Sequence, residues 1–88
     1  MRVFEKDPSA LLDYHWDFSD WLGNDVISSF EFTTPVDLVL EDSSEAGGKV
    51  TGWFSGGTLN KSHVVVCQIL TAGGRREQRS ARFDMIDK

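Results

Sequence analysis

Residues 11–18 read LLDYHWDF, and this stretch decides the fold. A leucine and three aromatic rings occupy its even positions, and two aspartates and a histidine lie between them. Successive side chains of an extended strand point to opposite faces, so this order gives one apolar face and one polar face. A helix would scatter the same rings around its circumference. We therefore predict a half-buried β-strand whose rings enter a core.

Two further stretches in the first half of the chain show a β-pattern. Residues 25–34 and 37–41 are rich in β-formers, and Pro35 ends the first of them. Ile27 is out of phase with the phenylalanines that follow it. Either Val26 enters the core instead, or a bulge near the two serines after Ile27 shifts the register.

The second half of the chain predicts three more strands. They are residues 49–54, 62–71 and 75–86. Residues 42–48, just before them, are polar and glycine-rich and predict a flexible loop. The strand over residues 62–71 is apolar on both faces, which is typical of a central strand or of one whose outer side a partner covers. Cys67, in its middle, is predicted to be a small core residue.

Residues 1–10 are predicted to form an extended N-terminal arm, because Pro8 interrupts regular structure and little apolar periodicity precedes it. Val3 and Phe4 are exceptions within the arm, and we expect them to pack on the domain or on a neighbouring subunit. Residues 11–88 then form one domain. Six or seven short strands without a sustained helical period predict an all-β fold, a small antiparallel β-sandwich.

Composition argues against several classes of protein. The 88 residues carry a net charge of −5, so nucleic acid is not an expected partner. No apolar stretch approaches the roughly 20 residues of a membrane span. One cysteine allows no disulfide within the chain, and with two histidines it offers no zinc cluster. The first residues lack the apolar segment of a signal peptide, so a reducing cytoplasm is the expected place of synthesis. We expect no metal, cofactor or catalytic residue.

The charges are unevenly distributed along the chain. Residues 1–45 carry two basic and eleven acidic side chains, a net of −9, whereas residues 46–88 carry seven and three, a net of +4. Either strands from the two halves pair and the charges partly cancel, or the molecule is polar and docks on neighbours by charge complementarity.

Aromatic and arginine side chains are the interface candidates, because Trp and Arg dominate the binding energy of protein interfaces. Trp53 is out of phase with Phe54, so either a bulge at Gly52 turns it inward or it meets a partner. The arginines are also suited to solubility and to pairing with the acidic half. The candidate interface residues are Phe4, Trp21, Trp53, Arg75, Arg76 and Arg79.

One row of polar side chains invites a chemical interpretation. Asp13, His15 and Asp17 share the outer face of the first predicted strand and could hold a divalent cation or contact a partner. The interpretation we favour is a solvated strand face that blocks aggregation. The sequence contains no nucleophile elbow, phosphate loop or metal motif, which predicts a protein that is not an enzyme.

Two segments of the chain resemble a known family. The first holds Lys6-Asp7-Pro8, Leu12-Asp13-Tyr14 and residues 16–23, WDFSDWLG. The second holds residues 53–58, WFSGGT, then Cys67-Gln68-Ile69 and residues 71–75, TAGGR. Together they resemble small phage proteins described as fiber–tail adaptors or virion structural proteins, over about residues 6–86. The resemblance implies an immunoglobulin-like sandwich without catalytic residues, placed in the virion and assembled in the host cytoplasm.

The predicted function is thus that of a non-enzymatic structural protein of a tailed-phage virion, a tail or fiber–tail adaptor. Its expected partners are other virion proteins and copies of itself. Capsid decoration and head–tail joining in the same particle are alternatives of the same class. A carbohydrate-binding sandwich module is an alternative of another class, with Trp53 as the platform and Asp13 or Asp17 as hydrogen-bond partners.

Overall fold

The alternation in residues 11–18 produces one of seven strands in a two-layered fold. The computed structural model describes residues 2–87, so Met1 and Lys88, the outer ends of the two predicted ranges, lie outside the described residues. In chain order the elements are β1 (Arg2–Lys6), β2 (Leu12–Asp17), α1 (Ser19–Leu22), β3 (Ile27–Thr33), β4 (Leu38–Ala46), β5 (Lys49–Gly56), β6 (Ser62–Thr71) and β7 (Arg76–Met85). No helix in this part of the chain is long and apolar enough to cross a membrane.

The strands form two sheets. One has four strands in the order β1-β7-β6-β3, and the other has three in the order β2-β5-β4. Neighbouring strands are antiparallel except for β1 and β7, which are parallel. This is the strand order of a seven-stranded immunoglobulin-like sandwich with one difference. The first strand, β1, lies beside the last strand, β7, instead of in the sheet that holds β2. The predicted all-β sandwich of six or seven strands is confirmed, with one parallel pair in place of a wholly antiparallel order.

The N-terminal segment differs from the arm expected over residues 1–10. Arg2–Lys6 is strand β1, which lies at the edge of the four-stranded sheet with Phe4 beside Phe83 of β7. Because this pairing joins the two ends of the chain, no local sequence pattern signals it. The segment is therefore integrated into the sandwich rather than projecting from it.

The loop predicted over residues 42–48 is wrong for most of its length. Strand β4 continues to Ala46 and pairs with β5, with a shift of register between Leu40 and Asp42 that marks a bulge. Only the two-glycine turn before β5 remains as a loop. Because β4 is an edge strand, its polar side chains face water, and a polar composition there does not indicate a loop.

A bulge in β3 resolves the phase of Ile27. The register with β6 shifts between Ile27 and Ser29, and Ile27 packs against the core. Val26 is 60% exposed. Of the two alternatives left open by the sequence, the bulge is therefore the correct one.

The core is built from aromatic rings on the inner faces of both sheets. Phe54 of β5 is fully buried, and its ring centroid lies 5.6 Å from that of Phe83, 5.7 Å from that of Phe32 and 6.1 Å from that of Trp16. Each large ring buries roughly 150–250 Å², so a few of them supply the core that a short chain needs. Cys67 is also fully buried in this core, as predicted.

The strand order mixes the acidic and the basic half of the chain. Strands β1 to β4 come almost entirely from the acidic half, and β5 to β7 come from the basic half. Four of the five strand pairings join one half to the other, and only β6 and β7 pair within the basic half. Partial cancellation of charge between paired strands is therefore built into the fold.

Gly52 lets the aromatic core close against β5. The strand is regular at Gly52, so the glycine does not mark a bulge. A Cβ atom on Gly52 would lie 2.7 Å and 2.9 Å from two carbons of the Phe54 ring and 3.1 Å from the Phe32 ring. Gly52 therefore permits a close approach between the strand backbone and these two rings.

We expect Gly52→Ala to lower the free energy of unfolding by about 1–3 kcal/mol, because two rings of a close-packed core must shift to admit the methyl group. Urea denaturation followed by tryptophan fluorescence measures the change. Lys49→Ala, on the outer face of the same strand, is the control and should stay within about 0.5 kcal/mol of wild type. Wild-type stability of Gly52→Ala would show that the rings have room to spare.

Candidate functional site

Trp53 lies on the outer face of the three-stranded sheet, because the next residue, Phe54, fills the core. Trp53 is 39% exposed, so of the two alternatives left open by the sequence the inward orientation is excluded. The strand register places Asp13 of β2 on one side of it and Asp42 of β4 on the other. Val39, which is 48% exposed, lies on the same face of β4 before the bulge. We call this set the Trp53 face: Asp13, Val39, Glu41, Asp42 and Trp53.

The Trp53 face has an apolar centre and acidic sides. Glu41 accepts a hydrogen bond from the Ser55 hydroxyl at 2.5 Å, and Asp42 accepts one from a backbone N–H. Asp13 lies beside a histidine. Within residues 2–87, no Lys or Arg forms an ion pair with any of these three carboxylates. Their hydrogen-bond partners among the described residues are a hydroxyl, a backbone N–H and an imidazole, and none is a Lys or Arg.

The row of Asp13, His15 and Asp17 on β2 does not converge on one point. Asp13 Oδ2 lies 3.1 Å from His15 Nε2, and His15 Nδ1 lies 2.8 Å from Thr51 Oγ1. Asp17 instead accepts hydrogen bonds from the hydroxyl and the backbone N–H of Ser19, which lower the pKa of its carboxyl. In the part of the chain that the structure describes, no group of three or more His, Cys, Asp or Glu could hold a metal ion.

The outer face of the four-stranded sheet carries a second apolar patch. Arg82 of β7 lies between Val3 of β1 and Val64 of β6, and these valines are 50% and 42% exposed. Leu70, further along β6, is also exposed. Arg82 Nε donates to Asp84 Oδ1 at 3.0 Å, so part of its charge is neutralised. We call this second set the Val64 face: Val3, Val64, Val66, Leu70 and Arg82.

Arg75 and Trp21 pack on each other at the end of the sandwich that carries α1. The Arg75 guanidinium carbon lies 4.3 Å from the centre of the Trp21 ring. Its Nη2 donates to the carbonyl of Leu22 at 2.9 Å, and its Nε donates to Asp25 Oδ2 at 3.1 Å. Asp25 also accepts the backbone N–H of Gly73 at 3.0 Å. These contacts tie the β6–β7 turn to the loop around α1.

Two other arginines cover aromatic rings in the same way. The Arg79 guanidinium lies 4.7 Å from the centre of the Phe18 ring, and its Nη1 donates to the carbonyl of Asp17 at 2.8 Å. The Arg2 guanidinium lies 4.8 Å from the centre of the Phe4 ring. Phe4 is half-buried against the core. Arg79 and Phe4 therefore have structural contacts within the fold.

The buried titratable groups at the core and at the far end of the sandwich are structural. His63 Nε2 lies 2.7 Å from Asp37 Oδ2, and hydrogen bonds from a threonine hydroxyl and from His63 lower the pKa of Asp37. Lys6 is fully buried, donates to two backbone carbonyls and has its pKa lowered by burial. Burial raises the pKa of the Cys67 thiol to about 12, so it stays protonated at neutral pH and is a poor nucleophile.

Comparison with known families assigns this sandwich to a class. The family described as Podophage GP4 fiber-tail adaptor protein gp77 matches residues 6–84 of the 88-residue chain. The chain belongs to this family. The matched range begins at the end of β1 and ends near the end of β7, so the fiber-tail adaptor family covers almost the whole sandwich. The resemblance inferred from the sequence is confirmed. No curated protein sequence matches the chain.

The interface residues predicted for this member of the adaptor family do not form one patch. Trp53 lies on the Trp53 face, and Arg76 lies beside Leu70 at the edge of the Val64 face. Trp21 and Arg75 lie together at the α1 end. The remaining two, Phe4 and Arg79, contact other residues of the fold. The role of all six in an interface stays a prediction.

Sequence reasoning missed three residues that matter in this adaptor-family member. Val39 and Asp42 were not singled out, because the bulge at β4 breaks the alternation that would have placed them beside Trp53. Asp25 was missed because its partners, Gly73 and Arg75, are far away in the sequence. Asp25 is the first residue of the strand predicted over residues 25–34, and only its charge there hinted at a role.

Asp25 generates a prediction about pH for this family member. Hydrogen bonds, first from the Thr71 side chain and then from backbone N–H groups and Arg75, lower the pKa of Asp25 from 3.8 to about 2. The folded state therefore favours the ionised carboxylate more than the unfolded state does. This stabilisation is complete above the unfolded pKa and is lost as the pH falls towards the folded pKa.

We expect Asp25→Asn to be less stable than wild type at pH 7, with a difference that shrinks between about pH 4 and pH 2. Urea denaturation at a series of pH values measures the difference. Asp20→Asn is the control for the loss of an exposed carboxylate nearby. A difference between Asp25→Asn and wild type that stays constant across this pH range would contradict the role given to the charge.

Proposed function

We propose that this protein is a non-catalytic structural adaptor that joins two neighbouring proteins of a tailed-phage virion, one on each outer face of the sandwich. Membership of the adaptor family supports the class of function. The observation that carries the rest is the presence of exposed apolar side chains on both outer faces: Trp53 and Val39 on one, Val3 and Val64 on the other. Clusters of exposed apolar side chains mark interaction surfaces more often than scattered ones do.

The dimensions of the molecule suit this role. Its principal extents are 42, 22 and 20 Å. One outer face therefore offers roughly 42 × 22 Å, or about 900 Å², and a standard interface buries about 800 Å² on each partner. Each face is large enough for one partner, and opposite faces keep the two partners from colliding.

A place between fiber and tail is the position that the family description supports. Capsid decoration and head–tail joining would use the same two-faced design, and they are the alternatives within the particle. Copies of the chain are also expected partners, by head-to-tail contacts in a ring. The net charge of −5 disfavours a nucleic-acid partner.

The contacts of the reactive side chains support a non-catalytic role. The thiol of Cys67 is buried and protonated, and the carboxylates of Asp13 and Asp17 are held apart by different partners. A catalytic site needs an acid, a base or a nucleophile converging on one reacting atom. Turnover of any substrate by the purified chain would contradict this part of the proposal.

We expect Trp53→Ala and Val64→Lys each to lower the number of copies incorporated into phage particles by about tenfold or more, because truncating a tryptophan hot spot costs about 2 kcal/mol or more and burying an unpaired ammonium group in an interface costs several kcal/mol. Mass spectrometry of particles assembled with each variant measures incorporation, and circular dichroism checks that the variant folds. Asn24→Ala, at an exposed position beside α1, is the control. Full incorporation of both face variants would refute the two-faced adaptor.

A carbohydrate-binding module is the second candidate, favoured by the exposed Trp53 ring beside Asp13. An indole can stack on a sugar ring while a neighbouring carboxylate accepts hydrogen bonds from its hydroxyls. Asp17 does not suit this role, because it is engaged with Ser19. Binding to a glycan array that disappears in Trp53→Ala is the expected result for this candidate. No binding across a broad array would eliminate it.

A further inference from the structure

We infer that the Trp53 face binds an arginine side chain of a neighbouring virion protein. The inference rests on the proposed adaptor function and names the chemistry of one of its two partners. It depends on two independent observations. One is that arginine side chains of the chain lie over several of its other aromatic rings. The other is the set of charged side chains that surrounds Trp53.

The first observation is that the chain repeatedly covers aromatic rings with its own arginines. Guanidinium carbons lie 4.3 Å, 4.7 Å and 4.8 Å from the centres of the Trp21, Phe18 and Phe4 rings. In the described range 2–87, no Lys or Arg lies over the Trp53 ring. Trp53 is nevertheless the most exposed aromatic ring of this range, at 39%. Its π-face is therefore available to a cation from outside.

The second observation is the pair of strands that flank Trp53. Asp13 lies opposite it on β2, and Asp42 lies opposite it on β4, with Glu41 at the bulge. All three are exposed, and the ion pairs formed by the described residues give none of them a Lys or Arg partner. The bulge contributes here, because it brings two acidic residues of β4 opposite one residue of β5.

An arginine matches this arrangement better than other groups do. The planar guanidinium can lie on the indole while its N–H groups donate to the flanking carboxylates of Asp13 and Asp42. Val39 supplies apolar surface for the methylene stem of such a side chain. As a partner excludes water from the face, both the cation–π contact and the charge pairing become stronger. A neutral sugar would gain the stacking but not the charge pairing.

The direct test uses blocked peptides as probes of the full chain. Acetyl-Gly-Arg-Gly-Arg-Gly-amide is titrated into ¹⁵N-labelled protein, and the same peptide with citrulline in place of arginine is the neutral, nearly isosteric control. We expect the arginine peptide to shift the indole N–H signal of Trp53, assigned with Trp53→Ala, and the citrulline peptide to leave it unchanged. The shift should weaken as salt is raised, because the paired charges are exposed.

A matched pair of double variants separates the charges of this face from the net charge of the chain. Asp13→Asn with Asp42→Asn should weaken binding of the arginine peptide by about fivefold or more, because each exposed charge pair changes affinity by roughly twofold to fivefold. Asp20→Asn with Glu31→Gln removes two exposed carboxylates elsewhere and should bind as wild type does.

Several outcomes would overturn the inference. These are equal shifts with arginine and citrulline, no shift with either, or a shift produced by a neutral oligosaccharide such as cellopentaose alone. Sedimentation that shows a dimer abolished by Trp53→Ala would assign the face to a second copy instead. The inference and the adaptor proposal fail separately. If Trp53→Ala is lost from particles while the Asp13 and Asp42 double variant is incorporated fully, the proposed adaptor function is supported and the binding of an arginine by the Trp53 face is refuted.

Discussion

Trp53 and Phe54 follow each other on β5, and neighbouring side chains of an extended strand cannot share a face. Phe54 is fully buried at the centre of the aromatic core. Its burial therefore fixes Trp53 on the outer face of the sheet. The register that places Phe54 also places Asp13 and Asp42 beside Trp53. The core and the candidate interface thus depend on one choice of register, and a slip by one residue would exchange them.

The central position of β5 explains why this face is acidic. Both of its neighbours, β2 and β4, come from the acidic half of the chain, so the residues flanking Trp53 are mainly carboxylates. In the other sheet, β6 and β7 are adjacent strands of the basic half, and Arg76 and Arg82 lie beside Leu70 and Val64. Pairing between the halves cancels part of the charge. The strand order distributes the remaining charge unequally, with carboxylates on the Trp53 face and arginines on the Val64 face. The two partners of an adaptor would therefore meet surfaces of different character.

The parts of the fold that the sequence predicts are those with a strong local pattern. Residues 11–18 alternate between apolar and polar side chains, and residues 62–71 form a run of β-formers that is apolar on both faces and matches β6. Strand β1 could not be found this way, because the strand with which it pairs, β7, is at the other end of the chain. The second half of β4 was missed, because a polar edge strand and a polar loop have the same composition. The residues beside Trp53 are set by the register of β2 and β4 with β5 and by the bulge in β4. Neither the register nor the bulge can be inferred from composition.

The arginines that composition marks as interface candidates are largely occupied by the fold itself. Arg75 and Arg79 each cover a ring and donate to a backbone carbonyl of the acidic half. Arg79 thereby links β7 of one sheet to β2 of the other, and Arg75 links the β6–β7 turn to α1. Because these cations serve inside the molecule, the acidic side chains of the Trp53 face have no balancing arginine among the described residues. A partner that supplies a guanidinium there would complete, between two proteins, the contact that this chain makes three times within itself.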